Sequence, residues 1–382
     1  MLNIESLEQA ARERTGLEDF GTPEYREALA VLLDSALSEG RMNDAGREYL
    51  SVATTDHLVN RLEIHDWLTR HPEIEGEAIE PPIIVASGPR TGTTAAGFLL
   101  GCDPDNRSLL SWEARRPCPP PERETAACDP RAVAMRKNME SDQSRAFRRI
   151  HIGRGDGPDE CHFLLSNAFY SPHYVHLINT PRQYAWATRE CDMRIGYRYH
   201  EQQLKLLQWR NKRERWALKN PPHLLYNEEM FTVYPDATLV HIHRDPVEML
   251  GSICSLTRIM RGRNSDEVRD EEIGRHMVEM IVDSMDRTLA FRDSHPDVRV
   301  ADIPYREFVD TPVVAMQRVY DAAGLPFTTA AEEGMSRWAK RNPPGLHGVH
   351  EYDLSEYGVE IGELRERLGR YCERFDVPLR GI

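Results

Sequence analysis

Lysine is scarce in this chain. Of 382 residues only five are lysines (Lys137, Lys205, Lys212, Lys219 and Lys340), so arginine carries nearly all the positive charge. An excess of positive charge is missing as well: the formal net charge is −14. That balance argues against general binding to nucleic acid or to an anionic membrane surface, and no nucleic-acid partner is expected. A local cluster of arginines and backbone amides can still hold a small anion. The seven cysteines form no CxxC pair. His151, Cys161 and His162 stand close together, but adjacent Cys161 and His162 point apart on a helix or strand. Metal spacing is therefore missing, and no metal is expected. An odd number of scattered cysteines suits reduced thiols and a cytoplasmic location. No apolar run is long enough to span a bilayer and no leader pattern is present, so no transmembrane segment is expected.

Residues 1–78 read as helical. Leu29, Leu32, Leu33 and Leu37 follow helical spacing after Pro23, and Leu50, Leu58, Leu62 and Trp67 mark a second helix ended by His71-Pro72. This segment is expected to be a helical cap or arm, with a surface available for homo-oligomer formation. Pro81-Pro82 then introduces Ile83-Ile84-Val85-Ala86, a short apolar run suited to a buried parallel strand. A glycine-bearing loop and a helical stretch, Ala95 to Leu100, follow directly. Strand, loop and helix in that order open a doubly wound sheet. Further strands are expected at 216–219, 238–243 and 298–303, with helices near 200–213, 246–260, 270–294, 311–323 and 359–374. The fold class is α/β: a P-loop-like parallel sheet flanked by helices, one domain from 79 to 382. Residues 116–200 form a helical and irregular insertion, broken by Pro117, Pro119, Pro120 and Pro121, and placed as an acceptor-side lid.

The loop is Ser87-Gly88-Pro89-Arg90-Thr91-Gly92-Thr93-Thr94. Its glycines let the chain curl and turn successive N–H groups inward, while the next helix aims its N-terminus into the same hollow. Arg90 adds a charged fork and Thr93 and Thr94 add hydroxyls. The Walker pattern needs four residues between the glycines and a lysine before Ser/Thr. Here only three residues separate Gly88 and Gly92, and Thr93 stands at the lysine position. A phosphate-bearing nucleotide is indicated, without the β/γ-phosphate chain that lysine and magnesium serve.

Pro82 to Val85 followed by Gly88 to Thr94 resembles the 5′-phosphosulfate loop of the sulfotransferases, in the form of a bacterial group distantly similar to tyrosylprotein sulfotransferases. Cytosolic steroid and phenol sulfotransferases usually have lysine at the position of Arg90. Leu239 to Pro246, continuing to Gly251-Ser252, resembles the family's 3′-phosphate motif, an arginine at a strand end and a serine eight residues on. Trp216 to Pro221 resembles the Lys-x-Pro segment, and Ile303 to Phe308 resembles the Tyr-Glu-Asp segment with Arg306 interrupting it. The resemblance implies 3′-phosphoadenosine 5′-phosphosulfate as co-substrate. It would be held by Gly88, Arg90, Thr91, Gly92, Thr93, Thr94, Arg244, Ser252 and Tyr305. Lys340, Arg341, His347 and His350 are candidates to replace the C-terminal Arg-Lys-Gly loop of the cytosolic enzymes.

Sulfuryl transfer resembles phosphoryl transfer, with charge spread over equatorial oxygens and developing on the leaving oxygen. Arg90 and Lys219 suit that charge. The resemblance places the catalytic base at Glu113, nineteen residues after Thr94 and ahead of Arg115, Arg116 and Pro117; a salt bridge to Arg115 or Arg116 is the competing reading. His162, in Asp159-Glu160-Cys161-His162, is the second candidate. The acceptor is a hydroxyl on a small molecule or lipid. Trp112, Phe163, Phe169, Tyr170, Tyr174 and Trp186 either line an apolar acceptor pocket or belong to the core. Two rivals stay open at this stage: a P-loop small-molecule kinase, and a non-catalytic nucleotide-binding protein.

Overall fold

The computed structural model describes residues 2–139, 157–343 and 353–378. Five strands form one parallel sheet: β1 (Ile83–Val85), β2 (Asn106–Ser108), β3 (Arg215–Lys219), β4 (Thr238–His243) and β5 (Val300–Pro304). Their order is β2-β3-β1-β4-β5. The chain leaves β1 toward one edge and later returns to the other side of it. Ligands of such sheets bind where the order reverses, outside the strands' carboxyl ends. In register, Val85 lies between Lys219 and Val240.

The short strands are apolar on both faces because both faces are covered. Ile83, Val85, Val240, Ile242, Ala301 and Ile303 bury against α4 (Thr93–Leu100) and later helices on one side. Ile84, Trp216, Leu218 and Leu239 join the larger core on the other. That larger core also holds Leu7, Leu29, Leu50, Leu58 and Leu62. They come from α1 (Ile4–Thr15), α2 (Tyr25–Glu39) and α3 (Asp44–Arg70), so residues 1–78 share a continuous apolar interior with the sheet region. The helices expected downstream are found at Met193–Gln208, Pro246–Arg261, Asp270–Ser294, Pro312–Ala323 and Ile361–Arg374. The first of these begins seven residues earlier than expected, because Asp192 caps it by accepting from the Arg194 amide. No helix among the described residues is long and apolar enough to cross a membrane.

Strand β2 is not among those expected from the sequence. Its three residues, Asn106, Arg107 and Ser108, are all polar and all buried. Internal partners make the first two tolerable there: Asn106 donates to the Leu100 carbonyl and Arg107 pairs with Glu113. Hydrophobic periodicity cannot find a strand stabilised in this way.

The interior is rich in histidine held neutral. Burial pushes His200 down to about 3 and His223 well below its usual value. Their Nδ1 atoms bond Tyr234 and Tyr197 respectively. In the unfolded chain each titrates near its ordinary value of about 6.5, so the unfolded state binds more protons below that pH. Stability therefore falls as pH drops from about 6.5. Each such histidine costs about 1.4 kcal/mol per pH unit until its folded pKa is reached. Denaturant melts at pH 7, 6 and 5 should show a steepening loss. A flat profile across that window would show the imidazoles to be accessible.

Candidate functional site

The loop after β1 closes on itself before it meets any other element. Thr91 is fully buried and donates to the Gly88 carbonyl at 2.8 Å. Ser87 Oγ accepts from the Ile242 amide at 2.8 Å, fixing the loop's first residue to β4. Arg90 and Gly92 both take positive φ, 65° and 88°. At Gly92 a side chain is excluded twice over: the left-handed backbone disfavours it, and a Cβ would stand 2.7 Å from the Phe308 ring. At Gly88 a Cβ would stand 2.5 Å from Met249 Sδ. The glycines thus let the loop lie against its neighbours, while α4 begins at Thr93 and points its first amides into the curl.

Arg244 leaves the end of β4. Its Nη1 donates to the Arg90 carbonyl at 2.5 Å, and its Nε donates to Glu248 at 3.0 Å. Its guanidinium lies over the Tyr305 ring, 4.4 Å from the centroid. Asp245 caps the next helix, Pro246–Arg261, by accepting from the Val247 amide. Two turns along, Ser252 Oγ accepts from Arg90 Nε at 2.9 Å. The structure therefore brings Arg90, Arg244, Ser252 and Tyr305 into one contiguous group against the loop of Gly88, Thr91, Gly92, Thr93 and Thr94. The family resemblance implies that grouping, and the contacts among Arg90, Arg244, Ser252 and Tyr305 are in keeping with it.

Lys219 ends β3 beside the loop, 2 % exposed. Its stem runs along α4 because Gly97 leaves room: a Cβ there would meet Lys219 Cδ at 3.0 Å. Its Nζ donates to Glu160 Oε1 at 3.0 Å. Glu160 is held in turn by its backbone neighbours. The Asp159 amide donates to the Leu109 carbonyl and the Cys161 amide to the Lys219 carbonyl. Arg115 Nη1 donates to the Asp159 carboxylate at 2.6 Å. Burial pushes that carboxyl up, but Arg115 and Lys219 hold it below its usual value. His162 Nε2 lies 3.9 Å from the second Glu160 oxygen, and its ring stacks on His173. Burial, then His173, Arg115 and Lys219, drives its pKa well down. Such an imidazole is a weak base.

Glu113 is placed elsewhere. It is fully buried, and both oxygens receive the Arg107 guanidinium, at 2.9 and 2.7 Å. It also accepts from the Leu110 amide at the start of its own helix, Ser111–Arg115. Its partner is Arg107, not Arg115 or Arg116, and the pair is sealed from the surface. The structure thus gives Glu113 an ion-pair partner, as in the competing reading, but from Arg107. The carboxylate that sits with Lys219 is Glu160, which the sequence offers only as a neighbour of His162.

Of the aromatic candidates, Trp112, Phe169, Tyr170, Tyr174 and Trp186 are core residues. Only Phe163 is partly open, under the Arg115 guanidinium at 4.1 Å. Lys340 and Arg341 lie at the end of the helix Thr329–Arg341. His347, His350 and His151 fall outside the described residues. Sequence reasoning also misses a buried amide network that ties α3 to the segment after His162 and to the helix Met193–Gln208. On α3, His57 Nδ1 and Asn60 Nδ2 both contact Asn167 Oδ1, at 2.9 and 3.1 Å, and Asn167 bonds Gln203. Isolated polar residues on a long helix carry no signal of such a role.

His241, His243 and Asp302 present ligand-type atoms within 4.8 Å of one another. Arg292 already occupies both Asp302 oxygens, at 3.0 and 2.9 Å, and Tyr371 bonds His243 Nδ1. This is an ion-pair network bracing β4 against β5, and a cation there would have to displace a guanidinium.

The family model described as "Sulfotransferase family" matches residues 81–329. Among solved structures, sulfotransferase STF9 from Mycobacterium avium superposes with a TM-score of 0.93 at 31% identity, covering 100% of this chain and 99% of that one. Sulfotransferase STF1 from Mycobacterium tuberculosis H37Rv superposes with a TM-score of 0.86 at 29% identity, covering 97% and 99%. No curated protein matches the sequence.

Proposed function

Since this chain belongs to the sulfotransferase family, we propose that it transfers a sulfuryl group from 3′-phosphoadenosine 5′-phosphosulfate to a hydroxyl of a small molecule or lipid. The observation that carries the donor is the contact chain Arg244–Arg90–Ser252, which joins the loop after β1 to the end of β4. One arginine fork and one hydroxyl at the strand end suit a 3′-phosphate. The loop amides with Thr93 and Thr94 suit a 5′-phosphosulfate. Tyr305, stacked under Arg244, offers a flat face for adenine. The fit favours this donor over ATP, because the loop lacks the Walker lysine and Asp245, the carboxylate after β4, caps the next helix by accepting from the Val247 amide.

In this reading Lys219 neutralises charge developing on the leaving oxygen and can protonate it, working with the loop amides and Arg90. Glu160 accepts the acceptor's proton. Its neighbours suit that role, since Lys219 Nζ donates to its carboxylate and the Leu109 and Lys219 carbonyls anchor the backbone on either side of it. Reduced thiols and a cytoplasmic setting fit a nucleotide donor of this kind.

The donor is tested by binding. Arg244→Ala should weaken 3′,5′-bisphosphoadenosine by about 10- to 100-fold, the range expected for a charge-assisted phosphate contact, and leave adenosine 5′-monophosphate nearly unchanged. Calorimetric titration of both nucleotides checks it. Equal losses would remove Arg244 from the 3′ site. Stabilisation by ATP with magnesium, but not by the bisphosphate, would return the kinase reading.

A further inference from the structure

Between α3 and the helix Met193–Gln208 lies an open cavity of about 520 Å³, which shares Tyr170 with the aromatic candidates above but no lining residue with the loop after β1, Lys219 or Glu160. Its apolar lining includes Leu68, Ile74, Ala168 and Ile195. That volume falls within the range of small-molecule pockets, and charged side chains rim the apolar part. At its wall stands Arg61, 3% exposed. The guanidinium is sandwiched between the rings of Tyr25 and Tyr199, 4.5 and 4.6 Å from their centroids. Its Nη2 donates to the Thr22 carbonyl at 2.7 Å, while its Nε has no partner among the described residues. The buried Tyr199 hydroxyl has none among them either.

A buried guanidinium normally faces a carboxylate, because the desolvation of the charge must be offset. Among the described residues Arg61 has no ion-pair partner. Three carboxylates also line the cavity, Glu24, Glu75 and Glu201. Glu201 pairs with Lys205 at 3.3 Å, and Glu24 is bonded to Thr22 and held below its usual value in part by the more distant Arg61 charge. Arg198, also lining the cavity, adds a second guanidinium without an ion pair among the described residues. Two tyrosine faces and one carbonyl orient the Arg61 fork but supply no counter-charge.

We propose that this cavity is a binding site for an amphipathic anion, a single negative head on an aliphatic tail. The head pairs with Arg61 and accepts from the Tyr199 hydroxyl, Arg198 guards the mouth, and the tail lies along Leu68, Ile74 and Ile195. Two sources share that chemistry: a fatty carboxylate, and the sulfate ester that sulfuryl transfer to an aliphatic alcohol produces. The site stands independently of the transfer reaction, since it is read without the donor.

Calorimetry on the full chain, with saturating 3′,5′-bisphosphoadenosine to block the nucleotide site, compares decyl sulfate, decanoate and 1-decanol. Either anion should bind about tenfold or more tighter than the alcohol, and the better of the two names the source. Arg61→Gln should abolish that preference. Tyr199→Phe and Arg198→Gln, which spare the buried charge, should each reduce anion affinity several-fold without altering the melting temperature of the unliganded protein. They keep the test decisive if Arg61→Gln fails to fold. Equal affinity for decanol and decyl sulfate would overturn the proposal, as would anion binding unchanged in both Tyr199→Phe and Arg198→Gln. Absence of turnover with anion binding intact would count against the sulfuryl-transfer reading alone.

Discussion

Glu160→Gln should lower turnover by about 10²- to 10⁴-fold, the usual loss when a general base is removed, with donor affinity near wild type. Glutamine keeps the shape of the side chain and can still accept from Lys219 Nζ, which Glu160 Oε1 now does at 3.0 Å. It cannot take the proton of an attacking hydroxyl. The split between turnover and donor binding separates a chemical role from a structural one. A structural carboxylate would shift the melting temperature or the donor affinity, because Lys219 is 2 % exposed and depends on Glu160 as its charge partner. If Glu160→Gln turns over at the wild-type rate, the base lies elsewhere, and His162, 3.9 Å from the same carboxylate, is the next variant to make. Lys219→Met should be as damaging to turnover, through loss of charge at the leaving oxygen.

Glu113→Gln should instead unfold or severely destabilise the protein, by about 3–5 kcal/mol. The carboxylate neutralises a guanidinium whose side chain is 5% exposed, and the two groups share a bidentate contact of 2.7 and 2.9 Å. Removing one charge leaves the other buried and unanswered, which costs more than the pair contributes. The loss is comparable with the whole stability of many domains. Replacing both partners with apolar residues of similar volume, Arg107→Met with Glu113→Leu, should recover most of it, since the burial then carries no charge. Denaturant melts of the two single variants and the double measure this directly. A Glu113→Gln protein that melts like wild type yet no longer turns over would hand the catalytic role back to Glu113.

These two expected results would move the base from Glu113 to the cluster that sequence reasoning places second, and within it to Glu160, and the reason is local. Glu113 and Glu160 both sit near arginines, histidines and apolar residues, and composition does not say which faces the loop. What decides is β2. Its Arg107 enters the interior at the sheet's edge and lies over Trp216 as well as against Glu113. A polar strand of three residues leaves no alternating or continuous apolar trace, so neither the strand nor its claim on Glu113 is legible beforehand. Lys219, by contrast, follows an apolar run and precedes Asn220-Pro221, and it stands at the end of the strand expected there.

The α/β architecture, the loop after the first apolar strand and the likeness to the sulfotransferases are all legible in the amino-acid order. Local chemistry suffices there: apolar runs declare buried strands, glycines at 88 and 92 declare a curl, and Arg244 before Asp245-Pro246 declares a strand end meeting a capped helix. Three-dimensional packing settles which carboxylate stands beside Lys219, which arginine is sealed against Glu113, and which guanidinium, Arg61, is buried between two rings with no close ion pair among the described residues. Those choices depend on partners 6, 59 or more residues away in the chain, such as Arg107 for Glu113 and Glu160 for Lys219. A charge shows its type in the sequence. Its partner, and therefore what it does, is set by which groups the packed interior leaves within reach.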